Sequence, residues 1–116
     1  MPVLASYARV FVDHLDTALP TFVRLTGEQP ALRFPYRDLE LARIGGYLLI
    51  AGTEAALAPY RETHATTIVS SLEEVLTLVE EEGGAILDGP NEVPTGRNLT
   101  VRHPGGAVIE YVQFRD

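Results

Sequence analysis

The residue pattern predicts an α+β fold built of two βαβββ modules in tandem, and three observations predict it. A shift of 57 residues aligns Val12 with Val69, Leu15 with Leu72, Leu19 with Leu76, Phe22 with Val79 and Gly27 with Gly84. Each aligned stretch passes from period-two alternation to helical spacing, the change expected where a strand hands over to a helix. Glycine-rich turns, Gly45-Gly46 and Pro104-Gly105-Gly106, recur near the end of each half and align at a shift of 60.

Taken in order, Tyr7 to Val12 alternates as a strand. Asp13-His14 breaks it, and Leu15, Leu19 and Phe22 then mark one helical stripe. Gly27 is placed to stop that helix. Pro20 removes an internal hydrogen bond, which predicts a kink or a late start. Strands follow over Leu32 to Tyr36, Leu39 to Ile44 and Tyr47 to Ala51. The second half repeats the plan. His64 to Val69 reads as a strand, and Ser70 with Glu73 forms a capping-box pattern ahead of Leu72, Leu76 and Val79. Gly83-Gly84 ends that helix. Three strands are expected, over Ala85 to Leu87 or somewhat beyond, over Arg97 to His103 and over Val108 to Phe114. The first module is read as about 1–52, the linker as 53–63 with one helical turn, and the second module as about 64–116, all within one domain.

Composition excludes several classes. With 46% hydrophobic residues, this length can hold a core without staples. Cysteine is absent, so disulfides and thiolate metal sites are excluded and a cytoplasmic setting is expected. Net charge is −7 and the basic residues are scattered, which argues against nucleic acid. No apolar run is long enough to span a membrane, and the N-terminus lacks a signal-peptide pattern. No P-loop, nucleophile-elbow, zincin or CxxC motif is present.

The stretch Val12-Asp13-His14-Leu15-Asp16-Thr17-Ala18-Leu19, with Phe22 and Gly27, resembles the opening of the glyoxalase / bleomycin-resistance / extradiol-dioxygenase superfamily, the vicinal oxygen chelate proteins. The run from Gly96 to Glu110 resembles that superfamily's ending, with His103 where an Asp is usual. The resemblance covers nearly the whole chain. It implies that each module curls its sheet into a half-barrel, that two modules form a cup around a cleft, either within one chain or across a dimer, and that the protein is a homodimer.

It also implies four ligand positions in metal-dependent members, which map to Tyr7, Ile50, His64 and Glu110. His64 and Glu110 have metal-ligand chemistry for a divalent ion. Tyr7 is a poor ligand at neutral pH and Ile50 is none. The expectation is therefore no firmly held cofactor, with at most a divalent metal at low affinity. Without metal, His64 and Glu110 read as an acid–base pair in which Glu110 orients the imidazole. The plainer reading is a hydrogen-bonded histidine and a carboxylate paired with an arginine or with His64.

Strand alternation puts Tyr7, Arg9, Phe11, His64, Thr66 and Ile68 on one face, with Val10, Val12 and Val69 under the helices. Asn98, Thr100 and Arg102 share the face of Glu110. Arg9 and Arg102 suit an anionic group on a ligand, or balance an inward acid such as Glu40 or Glu110. Ile50 completes the apolar wall. The leading expectation is a small-molecule binding or sequestering protein without a complete metal site. The alternatives are a divalent-metal-dependent lyase or dioxygenase using His64 and Glu110, and a dimeric interaction module without chemistry.

Overall fold

The computed structural model describes residues 1–115. The fold is α+β, with two βαβββ modules in tandem and the same strand order in each. The chain divides into two compact units, Tyr7–Glu62 and Met1–Ser6 together with the residues from Thr63 onward. The expected linker up to Glu62 thus packs with the first module, while its last residue, Thr63, and the first six residues pack with the second. No helix among the described residues is long and apolar enough to cross a membrane.

Strand β1 spans Val3–Val12, starting earlier than the alternation predicts. In the first module its residues from Tyr7 onward are followed by α1 (Leu15–Thr26), β2 (Leu32–Tyr36), β3 (Leu39–Ile44) and β4 (Tyr47–Ala51). The order is β2-β3-β4-β1, with β1 parallel to β4 and the hairpins antiparallel. Helix α1 begins at Leu15, ahead of Pro20, so the late start does not occur. Leu15 and Leu19 are buried against Ala42, Ile44 and Leu49 on one side of the sheet, with Val10, Val12 and Phe22 packed alongside. Burying such side chains contributes roughly 1.5–3 kcal/mol each, enough to hold the turn before the proline despite its missing hydrogen bond. Gly27 closes the helix at φ 70, its N–H donating to Val23 O at 2.9 Å.

On the opposite side of that sheet, Leu39, Leu48 and Ile50 are covered by the module's own C-terminal segment. Thr53 Oγ1 accepts from Ala56 N and opens a short helix, α2 (Glu54–Leu57), which continues as a 3-10 turn, Ala58–Tyr60. Ala56 and Leu57 are buried over Ile50, and Tyr7, Phe11, Tyr36 and Tyr60 pack at the edges.

The second module contains β5 (Ala65–Val69), α3 (Leu72–Glu82), β6 (Ala85–Val93), β7 (Gly96–Arg102) and β8 (Val108–Phe114). The order is β5-β8-β7-β6, with β5 parallel to β8. The N-terminal residues attach beside β5. Ser70 N donates to Pro2 O at 2.8 Å, and the hydroxyls of Ser6 and Thr67 lie 3.0 Å apart. Leu72, Val75 and Val79 bury against Val69, Leu99, Val101 and Tyr111.

Helix α3 is capped by Ser71, whose Oγ accepts from Glu74 N at 3.2 Å, and not by Ser70. Ser70 instead follows β5 directly and is tied to Pro2. The αL stop is Gly83, at φ 78. Strand β6 runs on to Val93 through two register shifts, further than its apolar start suggests.

Candidate functional site

The strand faces fall as alternation predicts. In the second module, β7 and β8 pair Asn98 with Val112, Thr100 with Glu110 and Arg102 with Val108. Strand β5 sets Thr66 opposite Glu110 on its other flank. Thr66, Asn98 and Glu110 therefore stand on one face of three adjacent strands, the face away from α3.

These three side chains form a hydrogen-bonded cluster. Thr66 Oγ1 donates to Glu110 Oε1 at 3.0 Å, and Asn98 Nδ2 donates to Glu110 Oε2 at 2.9 Å. Thr66 is buried, while Asn98 and Glu110 are half-buried. The amide of Asn98 cannot flip without pointing its oxygen at the carboxylate. Its Oδ1 is thereby left buried, with no hydrogen-bond partner. A buried acceptor without a donor costs ~1–3 kcal/mol, a cost that one donor from a ligand or from water offsets.

His64 sits one residue before β5 and is exposed; its N–H donates to Val108 O at 2.9 Å. Continuing the β5–β8 register puts His64 opposite Val108, two positions from the Thr66–Glu110 pair. Arg102, at the end of β7, is exposed. His103 directs Nε2 to Tyr111 Oη at 2.6 Å, with the rings edge to face. It is thus tied down beside the helix-facing core and does not join the Glu110 cluster.

In the first module, Tyr7, Arg9, Phe11 and Ile50 share the face covered by α2. Ile50 is 2% exposed and stands opposite Phe11. Arg43 Cζ lies 5.2 Å from the Tyr7 ring centroid and Arg61 Cζ lies 5.5 Å from that of Phe11. Neither arginine lies in a recognisable sequence motif, although the alternation of Leu39, Leu41 and Arg43 already assigns Arg43 to this face. Glu40, expected as an inward acid, lies on the helix side instead. There Arg33 reaches Asp16 Oδ1 at 3.0 Å and Glu40 Oε1 at 3.6 Å.

The four positions drawn from the superfamily resemblance fit a metal poorly as a donor set. Ile50 is apolar core, and Tyr7 carries a guanidinium over its ring, a neighbour that opposes a bound dication. Both oxygens of Glu110 already accept hydrogen bonds. Among the described residues, no group of three or more His, Cys, Asp or Glu side chains is gathered as ion ligands.

No family model and no curated protein matches the chain. Solved structures do. An uncharacterised protein from Methanosarcina mazei is 47% identical, with 99% of this chain and 95% of that one aligned at a TM-score of 0.93. Methylmalonyl-CoA epimerase from Mycobacterium tuberculosis aligns at 17% identity and TM-score 0.74 over 98% and 90% of the two chains. A single-residue variant of the Streptomyces coelicolor methylmalonyl-CoA epimerase, in complex with 2-nitronate-propionyl-CoA, aligns at 16% identity and TM-score 0.74 over 100% of both. At these identities the two epimerases share the fold.

Proposed function

The chain belongs to the family of the Methanosarcina mazei protein, and on that premise we propose that it is a small-molecule binding protein of the vicinal oxygen chelate superfamily that works without a complete metal centre. The superfamily assignment is supported by the fold shared with methylmalonyl-CoA epimerase, a member of that superfamily, and by the duplicated βαβββ plan. The ligand contacts in the second module are Thr66, Asn98 and Glu110, with His64 and Arg102 on the rim. Arg9, Phe11, Tyr7 and Ile50 belong to the corresponding face of the first module.

The observation that carries this reading is the orphaned Asn98 Oδ1 beside an anchored Glu110. A fixed carboxylate and a buried amide oxygen without a donor are two neighbouring acceptors. They suit a ligand that offers N–H or O–H donors, and binding would satisfy the buried atom. Thr66 and Asn98 already orient the Glu110 carboxylate by one hydrogen bond to each oxygen, an arrangement suited to meeting a polar organic group. Homodimerisation is part of the proposal, and light scattering in solution measures it.

The test is a thermal-shift screen of small polar organic molecules against the whole chain, with and without a chelator. Stabilisation that survives the chelator and weakens in Asn98→Ala is expected. If ligand binding instead requires stoichiometric uptake of a divalent metal and disappears in Glu110→Gln, the metal-independent reading is overturned.

A further inference from the structure

The first module concentrates positive charge on the sheet face away from α1. The chain is acidic overall, and all nine of its basic residues are arginines. Four of them, Arg9, Arg37, Arg43 and Arg61, are gathered at this one face or its edge. Arg43 sits over Tyr7 at 5.2 Å, Arg61 over Phe11 at 5.5 Å and Arg37 over Tyr36 at 5.1 Å.

Strand register orders them. Leu48 stands opposite Arg43 on one side and Arg9 on the other, so the two arginines flank a buried leucine on neighbouring strands. Tyr7, Arg9 and Phe11 alternate along one side of β1. Tyr7 and Phe11 are therefore about 13 Å apart along the strand at ~3.3 Å per residue. Arg43 over the first ring and Arg61 over the second thus set two guanidinium groups along β1, with Arg9 at the strand position between the rings.

No carboxylate stands at any strand position of this face. Its residues are Leu32, Phe34 and Tyr36 on β2, Leu39, Leu41 and Arg43 on β3, Leu48 and Ile50 on β4, and the three on β1. Among the described residues, Arg43 and Arg61 rest on rings and are in no ion pair. A guanidinium over a ring engages the π face with its own face and keeps its in-plane N–H donors for an oxyanion. The apolar sheet residues beneath, with Leu48 and Ile50 buried, lower the local dielectric and strengthen such bonds.

We infer that this face of the first module is a binding site for a small molecule carrying two or more oxyanion groups, phosphate or carboxylate, gripped through Arg43 and Arg61. The inference stands on the first module alone, independently of the Asn98–Glu110 cluster.

Isothermal titration of the whole chain at low ionic strength tests it, with tripolyphosphate and adipate as probes. Saturable binding of at least one probe is expected, weakening as salt is raised. Arg43→Gln and Arg61→Gln should each weaken it about tenfold or more, the loss of one charge-assisted contact. Arg24→Gln, on the exposed side of α1, should leave it unchanged. Which probe binds identifies phosphate or carboxylate as the preferred group. Circular dichroism confirms folding of each variant, and Arg61, being exposed, can be replaced without disturbing the core. The inference fails if neither probe saturates the native chain, or if binding survives both substitutions intact.

Discussion

Asn98 donates Nδ2 to Glu110 Oε2 at 2.9 Å across adjacent strands, on a diagonal, since the residue opposite Asn98 is Val112. The bond joins a neutral donor to an acidic acceptor at a half-buried site. Asn98→Asp keeps the shape but replaces the donor with a second acidic oxygen. It should destabilise the fold by ~1–3 kcal/mol at neutral pH, through the lost bond and like-charge repulsion. Protonating one carboxyl at acid pH restores a donor, so the penalty should shrink there. Urea unfolding at pH 7 and pH 4 measures both values, and an equal penalty at the two would show that the bond to Glu110 is not what Asn98 supplies.

Ser71, not Ser70, accepts from the first turn of α3. Ser71→Ala should therefore cost ~1 kcal/mol, the usual loss for an N-cap. Ser70→Ala removes only an exposed 3.3 Å bond to Pro2 O and should cost less. Denaturant midpoints of the two variants settle the order, and a larger loss at Ser70 would move the cap back to the position favoured by the capping-box spacing.

That one-residue displacement illustrates what the sequence can and cannot tell. Alternation and helical spacing are local, and they place Leu32–Tyr36, Leu39–Ile44, Tyr47–Ala51 and Val108–Phe114 with the ends seen in the structure. They also put Asn98, Thr100 and Glu110 on one face. Parallel pairing is non-local and escapes them. The helical repeat equates Tyr7 with His64. In the sheets, however, Arg9 faces Leu48 just as His64 faces Val108, and Leu48 and Val108 are equivalent hairpin positions. The slip is two residues, which preserves every strand face and so leaves no trace in alternation. The burial of Ile50 is equally invisible. It depends on Ala56 and Leu57 folding back over β4, a tertiary contact made by a segment that reads as linker.

Gln113 Oε1 accepts from Leu72 N at 2.8 Å and from Arg97 Nη2 at 3.2 Å, while Arg97 also meets Glu73 Oε2 at 3.0 Å. A glutamine on β8 thus caps the first turn of α3 from a distance. Gln113→Leu leaves the Leu72 amide without its partner and should cost ~1–2 kcal/mol. Glu73→Gln, which weakens only a largely exposed ion pair, should cost well under ~1 kcal/mol. Finding the two losses equal would assign the stabilisation to the ion pair.

Gly96 opens β7 at φ 154, and a Cβ there would collide with the backbone oxygen of Gln113. The obstacle is backbone in the β7–β8 ladder, so it cannot swing aside as a side chain would. Gly96→Ala should therefore lose more than ~3 kcal/mol, beyond the range of ordinary substitutions. Gly46→Ala, where a Cβ meets nothing within 4 Å, is the control and should stay within about 0.5–1 kcal/mol of the native protein.

Tyr111 supplies a pH dependence. Burial, and then the nearby charge of Glu82, push its phenol above the ordinary value of 10.0. The fold thus favours the neutral phenol, which also sits 2.6 Å from His103 Nε2. A group whose folded pKa is raised contributes stability that is fully present below its unfolded pKa and is lost as pH rises through the folded one. The native protein should accordingly weaken as pH climbs above about 10, where the unfolded chain's tyrosine releases its proton first. Tyr111→Phe should begin less stable by ~1 kcal/mol at pH 8, through loss of the His103 contact, yet lose less on going to pH 11. The measurement is urea unfolding across that interval, paired with absorbance titration of phenolate in the native protein. Parallel stability curves for the two proteins would mean that Tyr111 ionises alike in the folded and unfolded states.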